Sequence, residues 1–522
     1  MIDNEPRRDI GKHARRPCPR RLRSAVPKWR RSLALALLLG LAGCATIQQP
    51  HRGHLGSEDA AIRECARWFK ALDKAVARSD VTDIASRRIA GYPYLRVDRF
   101  LAAVGGNAND EAFREAWIER MRELDAEGRR VEIDNLPAAE VERLALADRG
   151  KLVLRTRDCA TRLSMIDLPD AAPSTLLEQR ARVEDDYSSI KRAFGLYLLT
   201  RLPFYKGVQD WQKDVTQTIR AARRGESPRE PVLRYLPPAS RGYTRREVAG
   251  ILARAARHPF GIPDLSETEK DRLFATYAPV FEIETGGVFD RIGKLYWSLA
   301  ATPQVDVSNP TVYRRLGYTR FENRTLLQLI YVAWMPERPR DHAFDLLGGH
   351  LDGIVWRVTL APDGEPVIYD SIHPCGCFHL FFPTPRVEPI PSPRRYEEWA
   401  FSPAGLPATP RGSRIIVSLQ TRTHYLRNTW PGEPGEGTAY RFADYDELRS
   451  LPLPGGGSRS LFAPDGLVAG SERRERFLFW PMGIASAGAM RQAGTQATAF
   501  VGRRHFDDAD LIEKRFRLRD WP

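Results

Sequence analysis

The chain has 522 residues, 42% of them hydrophobic and 28% charged, with a mean hydropathy of −0.42. That is enough for two or three domains with a sizeable core, and it excludes a polytopic membrane protein, a collagen-like repeat and a largely disordered chain. The formal charge is +14, but residues 1–43 hold eleven of the 80 Lys/Arg against three acidic residues, so most of the excess belongs to the leader and no nucleic-acid partner is expected.

The leader comes first in the chain. The basic head Pro27-Lys28-Trp29-Arg30-Arg31-Ser32 is followed by an apolar run of 11 residues, 33–43, and then Cys44. A helix needs about 20 residues to cross a bilayer core, so the run reads as the apolar segment of a signal peptide. Leu41-Ala42-Gly43-Cys44 resembles the lipobox of bacterial lipoproteins. The resemblance implies cleavage before Cys44, acylation of Cys44 and membrane lipid as a partner. Ala45, standing where Asp would signal retention, implies the outer membrane, facing the periplasm. Residues 1–43 are then a signal peptide and 44–56 a lipidated tether.

Residues 57–230 read as helical. Ile62, Cys65, Phe69, Leu72 and Val76 fall at helical spacing, and Phe113, Trp117, Met121 and Leu124 repeat the pattern. Helices are also expected over 138–147 and 174–200. Thr244-Arg-Arg-Glu247 and Ser266-Glu-Thr-Glu269 are capping boxes that open two more. In Tyr92-Pro-Tyr-Leu-Arg-Val-Asp-Arg-Phe100, ion pairs near a helix start are expected.

From about residue 275 to 522 the pattern becomes β-type. Strands are expected over 280–283, 326–334, 353–360, 366–372, 414–419, 476–480 and 498–501. Asp363-Gly364 between two of these runs is a hairpin signal. The fold class expected is α+β, a mainly helical N-terminal region followed by a β-rich, predominantly antiparallel C-terminal region.

The most unusual chemistry sits in that second region. His373-Pro-Cys375-Gly-Cys377-Phe-His379 places four ligand-type residues at alternate positions, all on one face if the segment is extended. His350 and Asp352 enter the preceding strand and are expected near His373. Imidazole, thiolate and carboxylate are groups that zinc or another transition metal takes. An extended segment spans roughly 20 Å, so either Pro374 and Gly376 fold it into a turn or His350 or Asp352 completes the shell. A metal site with one position open to water would suit a metal-dependent hydrolase. Two other readings stand beside it: a Cys375–Cys377 disulfide, and a packed β-segment with free thiols. Four cysteines of the mature body, Cys65, Cys159, Cys375 and Cys377, allow three disulfide pairings.

His350, Trp356-Arg-Val, Asp363-Gly and Val367-Ile-Tyr-Asp370 are similar to the His–Asp hairpin of transglutaminase-like and papain-like cysteine enzymes. That resemblance implies a thiol nucleophile, for which Cys159 in Arg-Thr-Arg-Asp-Cys-Ala is the candidate. His424 reads as a surface histidine. No Walker, GxSxG, HExxH or Rossmann motif is present. The function classes left are a metal-binding envelope lipoprotein, a non-catalytic scaffold or binding lipoprotein, and a thiol enzyme, either CxC redox or transglutaminase-like.

Overall fold

The computed structural model describes residues 52–105, 110–144, 148–168, 175–255, 257–410 and 412–519. The expected signal peptide, the lipobox-like segment Leu41-Ala42-Gly43-Cys44 and the expected tether up to residue 51 lie outside the described residues. From Ile47 to Pro522 the chain forms one compact unit, so the helical and β-rich regions are parts of a single body.

Helix α1 (Ala60–Ser79) starts where the Asp59 carboxylate accepts from the Ala61 and Ile62 amides, satisfying donors that a helix end leaves orphaned. It buries Ile62, Cys65, Phe69, Leu72 and Val76, the stripe its spacing predicts. A two-stranded hairpin follows, β1 (Arg87–Ile89) and β2 (Tyr92–Val97), packed against α2 (Glu111–Asn135). Helix α3 (Arg149–Asp167) closes this half, joined to α1 by a Cys65–Cys159 disulfide. Cys159 is therefore no free nucleophile, which corrects the thiol-enzyme expectation at that position.

The continuous helix expected over 174–200 is broken. A short helix, Thr175–Arg180, is followed by an irregular stretch, then α4 (Ser189–Phe194) and α5 (Tyr197–Arg223). Leu196, at φ +48°, turns the chain between the last two. Both capping boxes form, at the starts of Arg245–Ala255 and Glu267–Tyr277.

The β-rich half is built on two sheets. Strands β3 (Val232–Leu236) and β4 (Val280–Glu284) belong to a five-stranded sheet. Strands β5 (Thr311–Phe321), β6 (Arg324–Arg338), β7 (Gly349–Leu360), β8 (Pro366–Ile372) and β9 (Leu380–Pro383) run antiparallel as neighbours in a six-stranded one. Strands β10 (Arg414–Leu419), β11 (Leu426–Gly432) and β12 (Thr438–Ala439) complete the first sheet in the order β11-β10-β4-β3-β12. Strand β13 (Arg441–Asp444) adds parallel to β5 at the edge of the second.

Both faces of the larger sheet are covered. Along β6, Leu327, Leu329, Tyr331, Ala333 and Met335 enter one core while Ile330, Val332 and Trp334 enter another. That period of two explains why residues 326–334 read as a nearly continuous apolar run, interrupted at Gln328. Each such side chain contributes about 1.5–3 kcal/mol when fully buried. The hairpin turn falls at Asp363-Gly364 as expected, with Gly364 at φ +82°.

Two expected strands are absent. Residues 476–479 form a short helix, α6 (Arg476–Phe479), whose Phe479 amide bonds to the Glu475 carbonyl at 2.8 Å. Residues 498–501 have no partner strand, because the Phe500 and Val501 amides are taken by the Glu398 carboxylate.

Candidate functional site

The heptapeptide His373–His379 folds as a turn. The Gly376 amide donates to the His373 carbonyl at 2.8 Å and the His373 amide to the Cys377 carbonyl at 3.0 Å. Gly376 takes φ +92°, and a Cβ there would stand 2.5 Å from the Ala497 carbonyl oxygen, so glycine is required on two counts. The turn disperses the four side chains that an extended strand would align.

Each then finds its own partner. His373 Nδ1 lies 3.1 Å from Asp352 Oδ1, so these two meet as expected. His379 Nε2 bonds instead to Asp370 Oδ2 at 2.8 Å. Cys375 and Cys377 are both free and buried, the Cys377 amide donating to Cys375 Sγ at 3.4 Å. His350 does not join them: its Nε2–H donates to the Pro303 carbonyl at 2.6 Å. Leu351, at φ +56°, interrupts the strand alternation between His350 and Asp352. Among the described residues no group of three or more His, Cys, Asp or Glu is arranged to hold a metal ion.

The His–Asp hairpin resemblance is not realised either. Asp370 lies opposite Arg357 in the β7–β8 register and accepts a two-point bond from it at 2.9 and 2.6 Å. Its remaining partner is His379, not His350.

Sequence reasoning missed the most tightly held imidazole. His424, far from being a surface group, is fully buried in the β10–β11 connection. Its Nδ1 lies 2.8 Å from Asp352 Oδ2 and its Nε2 3.2 Å from Asp290 Oδ1. Two carboxylate partners require both ring nitrogens to donate, the imidazolium form. Asp290 also accepts from Thr421 Oγ1 at 2.7 Å and from the Gly286 and Arg422 amides, tying two loops together. Asp290–His424–Asp352–His373 is thus a continuous buried chain of alternating acid and imidazole.

Burial opposes the charge on each of these groups. At Asp352 it is overcome by His373 and His424, which hold the carboxyl well below the usual range. At His424 burial is overcome by the hydrogen bonds its ring donates to Asp290 and Asp352, and its pKa is raised. The Asp352 contribution to stability is present above about pH 4 and lost as pH falls; the His424 contribution is present below about 6.5 and lost as pH rises through its raised value. Urea midpoints measured between pH 6 and 9 should therefore fall more steeply for the wild type than for His424→Gln. Parallel curves would mean that His424 carries no charge in the folded protein.

Beside this chain lies a cavity of about 540 Å³. Trp211, Phe401, Phe479 and Phe500 supply much of its wall, and Cys377, Glu398, His379 and Glu475 its polar groups. Burial pushes Glu475 up to about 7 and raises Glu398. His379 is driven down to about 3, chiefly by burial, so it is neutral near pH 7. With Nε2–H donating to Asp370, its buried Nδ1 is an acceptor without a partner among the described residues. The Cys377 thiol is pushed well above its ordinary value by Cys375 and by burial. A larger cavity, about 630 Å³ and lined by Phe113, His258, Phe260 and Arg320, shares none of these residues and contains no carboxylate.

No protein-family model, no characterised protein and no solved structure matches the chain.

Proposed function

We propose that the protein is an exported, lipid-anchored component of the bacterial outer membrane whose β-rich half binds an apolar chain carrying a small hydrogen-bond-donating head. Export rests on the leader and on the lipobox ending at Cys44. It is supported by the Cys65–Cys159 disulfide, a bond that belongs to oxidising compartments.

One observation carries the binding reading: the aromatic cavity over the 373–379 turn, with a few convergent polar groups, of which Cys377, His379, Glu398 and Glu475 are biased toward their uncharged forms beside the Arg504 guanidinium. A mostly apolar wall with a small number of placed polar atoms is the usual character of a small-molecule site. Neutral His379 offers an acceptor, and protonated Glu475 a donor. The metal reading of His350, Asp352, His373, Cys375, Cys377 and His379 has less support. The Cys377 thiol, held protonated, is a poor ligand, and His350 and His379 are each engaged elsewhere.

Gly207 supplies the test. It lies on α5 at the cavity wall, and a Cβ there would meet nothing within 4 Å. Gly207→Phe should fill the cavity while improving helix propensity by several tenths of a kcal/mol. The neutral amine N-phenyl-1-naphthylamine should bind the wild type at one per chain, and Gly207→Phe should lose at least ten-fold in affinity with no loss of thermal stability. Equal binding by the two proteins would overturn the reading. So would about one zinc, copper or iron per chain by elemental analysis, lost in His373→Ala/Cys377→Ser.

A further inference from the structure

The first half of α5 is a helix without a core. Of its 27 residues the buried ones are Val215 and Ile219, both in the second half, yet the first half is rich in leucine. Leu198 is 73% exposed, and Leu199 and Leu202 are exposed beside it. Phe194 on α4 is 79% exposed, with Ile190 and Leu196 next to it. The neighbouring α6 adds Phe477, 71% exposed, together with Leu478 and Trp480. These nine are among 21 exposed large apolar side chains in the described residues, and they come from elements that touch. Phe204 and Phe479 pack with ring centroids 5.0 Å apart, and Arg192 Nε donates to the Met482 carbonyl at 2.8 Å. A patch of this extent is an interaction surface rather than ordinary scatter.

Its charge identifies the partner. From Tyr187 to Gln209 there is no acidic residue, against four basic ones; Arg192 is buried against the Met482 and Gly502 carbonyls and Lys206 pairs with Asp210 at 2.9 Å, which leaves Lys191 and Arg201. Lys191 and Arg201 form no ion pair among the described residues. Arg395 adds to this rim, next to Tyr396, whose ring packs on Tyr205 at 5.9 Å. Leu, Phe and Trp with unpaired Lys and Arg at their margin is the composition of a surface that lies in a lipid–water interface. A protein partner of matching shape would be expected to meet some carboxylates for its own cations; an anionic bilayer needs none.

The patch is also continuous with the cavity. Pro203, Phe204, Gly207, Leu478 and Phe479 belong to the wall of the 540 Å³ cavity and to the elements of the patch. We infer that α4, the first half of α5 and α6 form a membrane-docking surface for anionic phospholipid, through which the cavity draws its apolar ligand directly from the bilayer. The second clause rests on the binding reading above; the first does not.

The test uses the compact unit Ile47–Pro522, which lacks the anchor, and vesicles of phosphatidylcholine with or without 30% phosphatidylglycerol. The wild type should sediment with the anionic vesicles, several-fold less with pure phosphatidylcholine, and less again as salt is raised from 0.1 to 0.5 M. Leu198→Glu/Leu199→Glu replaces two exposed side chains and should reduce binding at least ten-fold with an unchanged melting temperature. Gly207→Phe should still sediment; if it does while N-phenyl-1-naphthylamine fails to bind any form, the cavity reading has failed and the docking surface stands. No sedimentation of the wild type, or equal sedimentation of wild type and double variant, would overturn the proposal. A wild-type dimer that Leu198→Glu/Leu199→Glu makes monomeric, without vesicle binding, would assign the patch to a second copy of the chain instead.

Discussion

Arg129→Met should cost about 3–5 kcal/mol of stability, the penalty for leaving buried carboxylates without their cation. Arg129 is fully buried, with Nη1 at 2.6 Å from Asp73 and 3.3 Å from Glu132, and Nη2 donating to the Pro93 carbonyl. Arg88 bonds to Asp73 at 2.9 Å and to Glu132 at 2.5 Å; Arg96 reaches Glu132 at 2.9 Å and Asp125 at 3.1 Å. Arg449, from the other half of the chain, grips Asp83 at 2.7 and 3.0 Å. Four arginines and four acids thus form one network on which α1, β2, α2 and the 445–449 turn converge. Burial presses Glu132 toward its neutral form, but Arg88, Arg96 and Arg129 together hold its pKa down to about 2. Its contribution is therefore present above about pH 4 and disappears as pH falls through about 2. Urea denaturation at pH 7 measures the first effect, and an acid titration of wild type against Glu132→Gln the second. A loss under 1 kcal/mol in Arg129→Met would mean that the network relaxes or admits water.

Removing the Cys65–Cys159 disulfide should cost about 4–5 kcal/mol. The bond closes a loop of 94 residues, and loop-closure entropy of that length gives this magnitude when the denatured chain is unstructured. Cys65→Ala/Cys159→Ala and reduction with dithiothreitol should lower the urea midpoint by similar amounts. The variant should also accumulate less well in a periplasm, where unfolded chains meet proteases. Midpoints that agree within 1 kcal/mol between oxidised and reduced protein would show that the reduced chain is already constrained by the α1–α3 packing.

The sequence reports elements whose cause is local. Strands 366–372 and 414–419 stand where apolar alternation and turn residues put them. The capping boxes hold because their four residues bond to one another. The site is different. Asp290, Asp352, His373 and His424 belong to four separate segments, and nothing near Asp290 distinguishes it from any loop aspartate beside Gly286-Gly287. His424 read as a surface group because its two partners lie 72 and 134 residues away. The heptapeptide drew notice for its residue types, and of its two expected shapes the turn is the one formed: Gly376 at positive φ turns it, and the turn sends His373 and His379 to different aspartates, which residue spacing did not reveal. Arg88, Arg96 and Arg129 likewise look like solvated charges until α1, β2 and α2 close around them.

The disulfide also decides how the body bears force. A pull applied through the chain leading into its N-terminal end arrives first at the short helix Arg52–Leu55, whose buried His54 bonds to Asp167 of α3 at 2.7 Å, and then at α1. Tension entering that helix reaches Cys65 within six residues of its start and passes through the sulfur bridge straight into α3. The intervening 93 residues, with β1, β2, α2 and Arg88, Arg96 and Arg129, are bypassed and bear none of the tension along the chain. The structure that yields ahead of the bridge is then the Arg52–Leu55 helix, held by His54, followed by the first turn of α1, with Ile62 as its anchor in the core. Under reducing conditions the same pull would instead peel α1 from the hairpin and expose the charge network to water.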